Sequence, residues 1–578
     1  MTAPLPILVP IVANRLASLL AEQQNALVNT AFSPVVRESL DLACAAFDSA
    51  GAMVAQSVGG TPGHINAIAT GMAHIVARHG PDGVEHGDVL ITNDPWMTAG
   101  QINDITIATP VFRDGRLVAW FASCCHSPDI GGRILSASAT EVFEEGLRLP
   151  IMKLYRAGEP DASLVELIRA NVRTPDETIG DIYAQVAGND VGAASLLRLM
   201  DELELDSIDP IAAQIMDRSE QALADALEAM PDGTYASELE TDGFGEETLR
   251  LAVTVTISGR RILLDFAGSS PQSRHGVNVV LNYTRAYASF AIKAAIAPDV
   301  PHNAGSFRPV EVTAPEGSVL NCRPPAAVAS RHLVGHFLPS LIFSALAPAL
   351  PGKLLAHSAD ALWMCVWRGQ ADGTDPFTLT TFHAGGSGAR AVKDGLSTTG
   401  FPTGVRAAPT EVIETLTPIR HHRRELRTDS GGAGTYRGGL GQVLRVSCGT
   451  DTLWSVNANV DRIRFAAQGA SGGGPGATGT LTSGTGKPLP AKQLVALAPD
   501  DEVLLAMPGG GGFGDPYARD ITAVLDDVVN GYVSIEAARD AYGVAISYVG
   551  EPDALVRPPA SYVLDETETA RLRGSIAS

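Results

Sequence analysis

Across residues 11–28 the apolar residues Leu16, Leu19, Leu20 and Leu27 recur at helical spacing while Glu22, Gln23 and Gln24 fill the other face, which predicts an amphipathic first helix. Short β-type runs follow it, among them VLIT (89–92), DITIATPVF (104–112) and LVAWFASCC (117–125). Helical patterning returns from residue 162 to about 229, so residues 1–235 read as one mixed α/β domain. Next, YASELETDGF and LRLAVTVTISGRRILLDFAGSS alternate with period two around Gly259, which predicts antiparallel hairpins. Residues 284–297 and 334–346 are small and apolar on most sides and read as buried helices, making 236–428 a middle α+β domain. From Asp429 onward the runs GGAGTYRGGLGQ, GASGGGPGATG and PGGGGFGDP separate short strands, and an acidic amphipathic helix (519–530) leads into a helical tail. Residues 429–578 therefore read as a glycine-rich, β-type C-terminal part with a helical end. The expected fold class is α+β: a mixed multi-domain chain with antiparallel β-rich segments and packed helices.

Composition narrows the function classes. The chain has 578 residues, 45% hydrophobic and 18% charged, enough apolar material for several cores. Its net charge of −22 opposes binding to a phosphate backbone, so no nucleic-acid partner is expected. The apolar stretch 333–350 contains His336, Pro339 and Pro348, which argues against a membrane span. The N-terminus lacks a basic leader and carries prolines inside its apolar run, so it does not read as a secretory signal. Six cysteines without a CxxC pair suit a reducing compartment, and a cytoplasmic location is expected.

The most informative stretch is 88–132. Asn93, Asp94 and Pro95 form a turn after an apolar strand, and Gly100 frees the backbone just before Gln101 and Asp104. Strands 104–112 and 117–126 are joined by Arg113-Asp114-Gly115. A two-residue Asp-Gly loop would put Asp104 and His126 on opposite faces, whereas a three-residue loop with left-handed Gly115 makes them diagonal neighbours on one face. The second register would let both grip a zinc or manganese ion. Gln101, Asp41, His64 and Asp129 are the candidates to complete its shell. In the alternative reading Asp104 and Asp129 cap turns and His126 is a hydrogen-bonded core histidine.

Other candidates carry less. Cys124 and Cys125 adjoin His126, but neighbours on a strand face opposite ways, and buried packing explains them better than a thiol nucleophile. PGGGGFGDP (508–516) lacks the Lys-Ser/Thr ending of a phosphate loop and reads as a tight structural loop. His332 and His336 have i, i+4 spacing without an intervening glutamate, and read as structural, with a substrate contact as the alternative.

Over residues 33–544 the chain resembles the B-type component of the hydantoinase, 5-oxoprolinase and acetone or acetophenone carboxylase superfamily. The resembling runs are RESLDLACAAFD (37–48), GDVLITNDPW (87–96), HSPDIGG (126–132), ATEVFEEGLRLPIMKL (139–154), DSGGAGTYRGGLGQ (429–442), PGGGGFGDP (508–516) and VNGYVSIEAARDAYGV (529–544). The resemblance implies a subunit working with an A-type ATPase partner, which spends ATP to phosphorylate a substrate carbonyl; this chain would bind no ATP itself. It also implies a metal motif, His-x-x-Asp followed by a His 22 residues after the Asp. Asp104 and His126 match it, Gln101 replaces the first His, and Ser127 replaces the second His of a frequent His-His pair.

The expected ligands of a divalent zinc or manganese ion are therefore Asp104 and His126, with Gln101 as a weak neutral third. Asp41 and His64 are the expected catalytic pair, and Asp129, Asn93 and Asp94 the expected substrate or supporting groups. The leading functional expectation is the catalytic subunit of an ATP-dependent hydrolase of a hydantoin, 5-oxoproline or lactam-like ring, in a hetero-oligomer. The alternatives are a subunit of an ATP-dependent ketone carboxylase, or a scaffold subunit whose metal site has decayed.

Overall fold

The computed structural model describes residues 5–371, 373 and 375–574. It is a mixed α+β chain of helices and largely antiparallel sheets. The site rests on a seven-stranded sheet in the order Met53–Gln56, Leu42–Phe47, Arg116–His126, Asp104–Arg113, Val89–Thr92, Met152–Arg156, Glu159–Pro160, every neighbour antiparallel.

Both faces of this sheet are covered, which is why its central strands are apolar almost throughout. On one face lie helices Leu5–Thr30, Pro175–Glu202 and Asp209–Glu228, with Leu16, Leu20 and Leu196 packed against Phe121 and Ala119. Each fully buried leucine of this kind contributes roughly 1.5–3 kcal/mol. On the other face, helix Pro62–His79 sets Ile65, Ile68 and Met72 against Ala108, Trp120, Ala122 and Cys124. The helical region expected over 162–229 is three helices, Ala162–Asn171, Pro175–Glu202 and Asp209–Glu228, the last two opened by a proline in the first turn.

The hairpin that carries Asp104 and His126 corrects the expected register. Asp114 (φ 49°) and Gly115 (φ 75°) form a two-residue turn between the paired Arg113 and Arg116, not a three-residue loop. Positive φ at both positions matches the twist of the flanking strands. That turn alone would set Asp104 and His126 on opposite faces. Pairing then jumps from Phe112 with Leu117 to Val111 with Ala119, so Val118 is an extra residue and the strand bulges. Beyond the bulge Asp104 lies directly opposite His126, on the face that helix Pro62–His79 covers.

A second sheet, in the order Val310–Thr313, Arg261–Asp265, Thr248–Ser258, Gly233–Asp242, has one parallel pair, between Arg261–Asp265 and Val310–Thr313. The helix expected over 334–346 is broken into His332–Gly335 and Leu338–Leu346, with Pro339 in the first turn of the second piece. Two further four-stranded sheets share one core, in which Trp363, Cys365 and Trp367 meet Leu444, Val446 and Leu505. The other face of strand Trp363–Gly369 sets Met364 and Val366 beside Phe382 and Val405, toward the first sheet.

The glycine-rich C-terminal runs lie backbone against backbone. A Cβ on Gly510 would stand 2.0 Å from the Ser387 carbonyl oxygen, so only glycine fits there. The N–H groups of residues 509–513 all donate to backbone carbonyls, of Ala477, Gly439, His357, Gly474 and Tyr436. These donors are spent on the fold, in keeping with a structural loop.

Candidate functional site

Asp104 begins its strand and His126 ends the next one, so both sit at the same rim of the sheet. Asp41 immediately precedes strand Leu42–Phe47, whose Leu42 pairs with Cys125, and its carbonyl accepts from the His126 N–H at 3.1 Å. His64 stands in the first turn of helix Pro62–His79, which lies over this end of the sheet. Four separate elements thus deliver Asp41, His64, Asp104 and His126 to one buried cluster.

Asp104 is its hub. His64 Nε2 lies 2.9 Å from Asp104 Oδ2, and His126 Nδ1 lies 2.9 Å from Oδ1. The Gln101 amide nitrogen donates to Oδ1 at 2.7 Å and lies 2.9 Å from His126 Nδ1. Asp41 is looser, 3.7 Å from His64 Nδ1 and 3.9 Å from His126 Nδ1. Burial raises the Asp104 pKa, but His64, Arg331 and the hydrogen bonds of both histidines outweigh it and hold the carboxyl well below its usual range. Burial likewise pulls His64 down, yet Asp104 and Asp41 leave the imidazole more basic than an ordinary histidine.

The sequence reading missed Arg331. Its guanidinium pairs with Asp104 Oδ2, its Nε donates to the Ala99 carbonyl at 2.6 Å, and it stacks 4.1 Å above the Tyr283 ring. Gly100, at φ +88°, lets the chain pass this arginine, since a Cβ would stand 2.9 Å from Arg331 Cδ. Glu145 holds the segment before it, accepting from the N–H groups of Val328 (2.6 Å) and Ala329 (2.7 Å). The one available signal was a Ser-Arg-His triplet opening a long apolar run at residue 330. His332 and His336 also reach the site. Burial pushes His332 down to about 3, and both its ring nitrogens are unpartnered.

The remaining expected residues lie elsewhere in the hydrogen-bond network. Asp129 accepts from Gly131 N–H (2.9 Å) and pairs with Arg173 (3.0 Å), stabilising a turn. Asn93 ties together the backbones of Ile102, Leu147 and Leu149. Asp94 caps its own turn through the Trp96 N–H at 3.0 Å. Cys124 is on the cluster's face of the sheet and Cys125 on the other, and both thiols are raised well above their usual range by burial.

A cavity of about 20 Å³ is lined by Asp41, His64, Gln101, Arg331 and His332. It shares Leu362, Phe382, Thr403 and Val405 with an outer cavity of about 830 Å³, whose rim includes Arg406 and Arg424. The outer cavity is in the size range of small-molecule sites, and the inner one has room for about one water.

The donors do not fit the implied divalent ion. Both oxygens of Asp104 are engaged, and Gln101 turns its amide nitrogen toward Asp104 and His126 while its oxygen has no partner. Among the described residues no group of three or more His, Cys, Asp or Glu side chains is placed to hold a metal ion. Among the same residues no helix is long and apolar enough to cross a membrane.

Comparison with known proteins agrees with this architecture. The chain is 29% identical to the B component of a putative D-/L-hydantoinase of Pseudomonas sp. (strain NS671), over 95% of this chain and 96% of that one. It superposes on the crystal structure of the ATP-dependent caprolactamase from Pseudomonas jessenii with a TM-score of 0.89 and 27% identity, covering 98% of this chain and 99% of that one. A nucleotide-free acetone carboxylase shares the fold, with a TM-score of 0.87 and 21% identity, over 99% of this chain and 83% of that one. The sequence profile of the hydantoinase B/oxoprolinase family matches residues 5–516, and the chain belongs to that family.

Proposed function

We propose that this chain is the B-type catalytic component of an ATP-dependent enzyme that hydrolyses a cyclic amide, a hydantoin, 5-oxoproline or lactam-like ring, after a partner A-type ATPase has phosphorylated the ring carbonyl. The observation that carries this reading is the outer cavity of about 830 Å³, which shares Leu362, Phe382, Thr403 and Val405 with the inner cavity lined by His64, the imidazole paired with Asp104. The hydantoinase component and the ATP-dependent caprolactamase among the relatives support a ring amide over a ketone.

Amide resonance makes the ring carbon a poor electrophile, and phosphorylation of its oxygen removes that protection. Asp104 accepts the Nε2–H of His64 and so leaves the Nδ1 lone pair for a water in the inner cavity. The water oxygen bonds to the activated carbon as its proton passes to His64 Nδ1. That proton then goes to the ring nitrogen as the carbon–nitrogen bond breaks, and the hydroxyl formed from the water returns its remaining proton to His64 Nδ1, leaving an acyl phosphate. A second water opens the acyl phosphate and releases phosphate. Asp41, 3.7 Å from Nδ1, orients the water, and the fixed Arg331 guanidinium offsets the negative charge of the phosphoryl group on the ring oxygen.

Co-expression with an A-type ATPase and a panel of hydantoin, 5-oxoproline and caprolactam tests this reading. The expected result is ring-dependent ATP hydrolysis with the ring-opened acid as product, independent of bicarbonate. A strict bicarbonate requirement would move the assignment to carboxylation. Full activity and assembly of Asp104→Ala would move it to a scaffold role.

A further inference from the structure

We propose that the cluster works without a divalent ion, because the chain itself supplies, as the Arg331 charge beside Asp104 and the Gln101 N–H donors between Asp104 and His126, what a metal would bring there. This inference is independent of the substrate reading, since it concerns the resting site.

An amide NH₂ offers two hydrogens and no lone pair for a cation. The Gln101 nitrogen lies 2.7 Å from Asp104 Oδ1 and 2.9 Å from His126 Nδ1, between the two groups expected as ligands. To admit an ion, the amide would have to turn over and give up both contacts. Its oxygen has no partner in the present orientation, so the energetic weight of the side chain rests on the nitrogen. The second oxygen of Asp104 is occupied from the other side, by His64 at 2.9 Å and by the Arg331 guanidinium.

Charge gives the same answer. Arg331 is 3% exposed, so its charge is barely screened, and a divalent ion beside Asp104 would face it across a single carboxylate. Arg331 has little freedom to withdraw, because Ala99 and the Tyr283 ring fix it. With Arg331, Gln101 and His64 donating to it, and His126 Nδ1 either donating to Oδ1 or accepting from Gln101, the carboxylate has little acceptor capacity left for an ion.

The test is metal content of the full chain, purified without an affinity tag, incubated with zinc or manganese and freed of excess ion. Wild type is expected to retain far less than one equivalent, and its Tm to be the same with and without EDTA. Gln101→His exchanges the amide for an imidazole and is expected to gain about one ion per chain, lost again when Asp104→Asn is added. If Gln101→His does not fold, as judged by circular dichroism, Gln101→Glu is read by the same measurement. Stoichiometric metal in wild type that disappears in Asp104→Asn would overturn the inference. Failure of both folded Gln101 variants to gain metal would overturn the role given to Gln101.

Discussion

Asp104 and His126 face each other as a directly paired couple, 2.9 Å apart from Oδ1 to Nδ1, because one extra residue, Val118, bulges the strand between the turn and the pair. The Asp114-Gly115 turn sets one register and the bulge changes it by one residue. Since side chains alternate along a strand, that single residue decides whether the pair shares a face.

The buried Asp104–Arg331 pair is expected to be strongly coupled. Asp104→Asn leaves a guanidinium buried without its carboxylate, and Arg331→Met leaves the carboxylate without its guanidinium. Each should cost about 3–5 kcal/mol. The double variant should be less destabilised than the sum of the singles, read from urea unfolding of all four proteins. Additivity within about 0.5 kcal/mol would show that the two side chains do not act as a pair.

His64→Gln is expected to lower kcat of the assembled complex by about 10²–10⁴ with little change in KM, because it removes a proton acceptor and not a binding contact. Assembly should be unaffected. An unchanged kcat would mean that another group takes the proton.

Stability should depend on pH through two opposing limbs. Burial lifts Glu145 to about 8 from 4.5, so the folded state holds a proton that the unfolded state has released. Its contribution is fully present below pH 4.5 and is lost as pH rises toward 8. Glu145→Gln should flatten this alkaline loss. Partly buried His357 and buried His383 are held down by desolvation to about 3 from 6.5, so their contribution is present above pH 6.5 and is lost as pH falls toward 3. Urea midpoints across pH 4–9 for wild type, Glu145→Gln and His383→Gln would separate the limbs, and unchanged slopes in both variants would contradict the assignment.

Gly510→Ala is expected to destabilise the chain by about 3 kcal/mol or more, because its Cβ would meet the Ser387 carbonyl oxygen at 2.0 Å and neither backbone has room to move. Gly486→Ala is the control for the backbone effect alone, since Gly486 has a positive φ and nothing within 4 Å of a Cβ. Equal losses in the two thermal melts would mean that the close approach is not what requires glycine at 510.

The class of fold and most of its elements were legible in the amino-acid sequence. Helical spacing placed the first helix, which runs over Leu5–Thr30, and period-two alternation placed the hairpins around Gly259. These signals could be read because they are local: each element must bury one face, and that demand is written into neighbouring residues. Asp104 and His126 stood out as candidates because a short hairpin joins them.

The rest came from packing between distant segments. The Val118 bulge changes the register without any distinctive residue to announce it, since the strands are apolar on both faces. Arg331 stands 227 positions from Asp104, and His64 and Asp41 arrive on separate elements. Chain spacing carries no record of such meetings. The orientation of the Gln101 amide is likewise set only by the groups that surround it. Tertiary structure brings those groups together, and their charges and hydrogen bonds then fix which atom of each side chain faces the site.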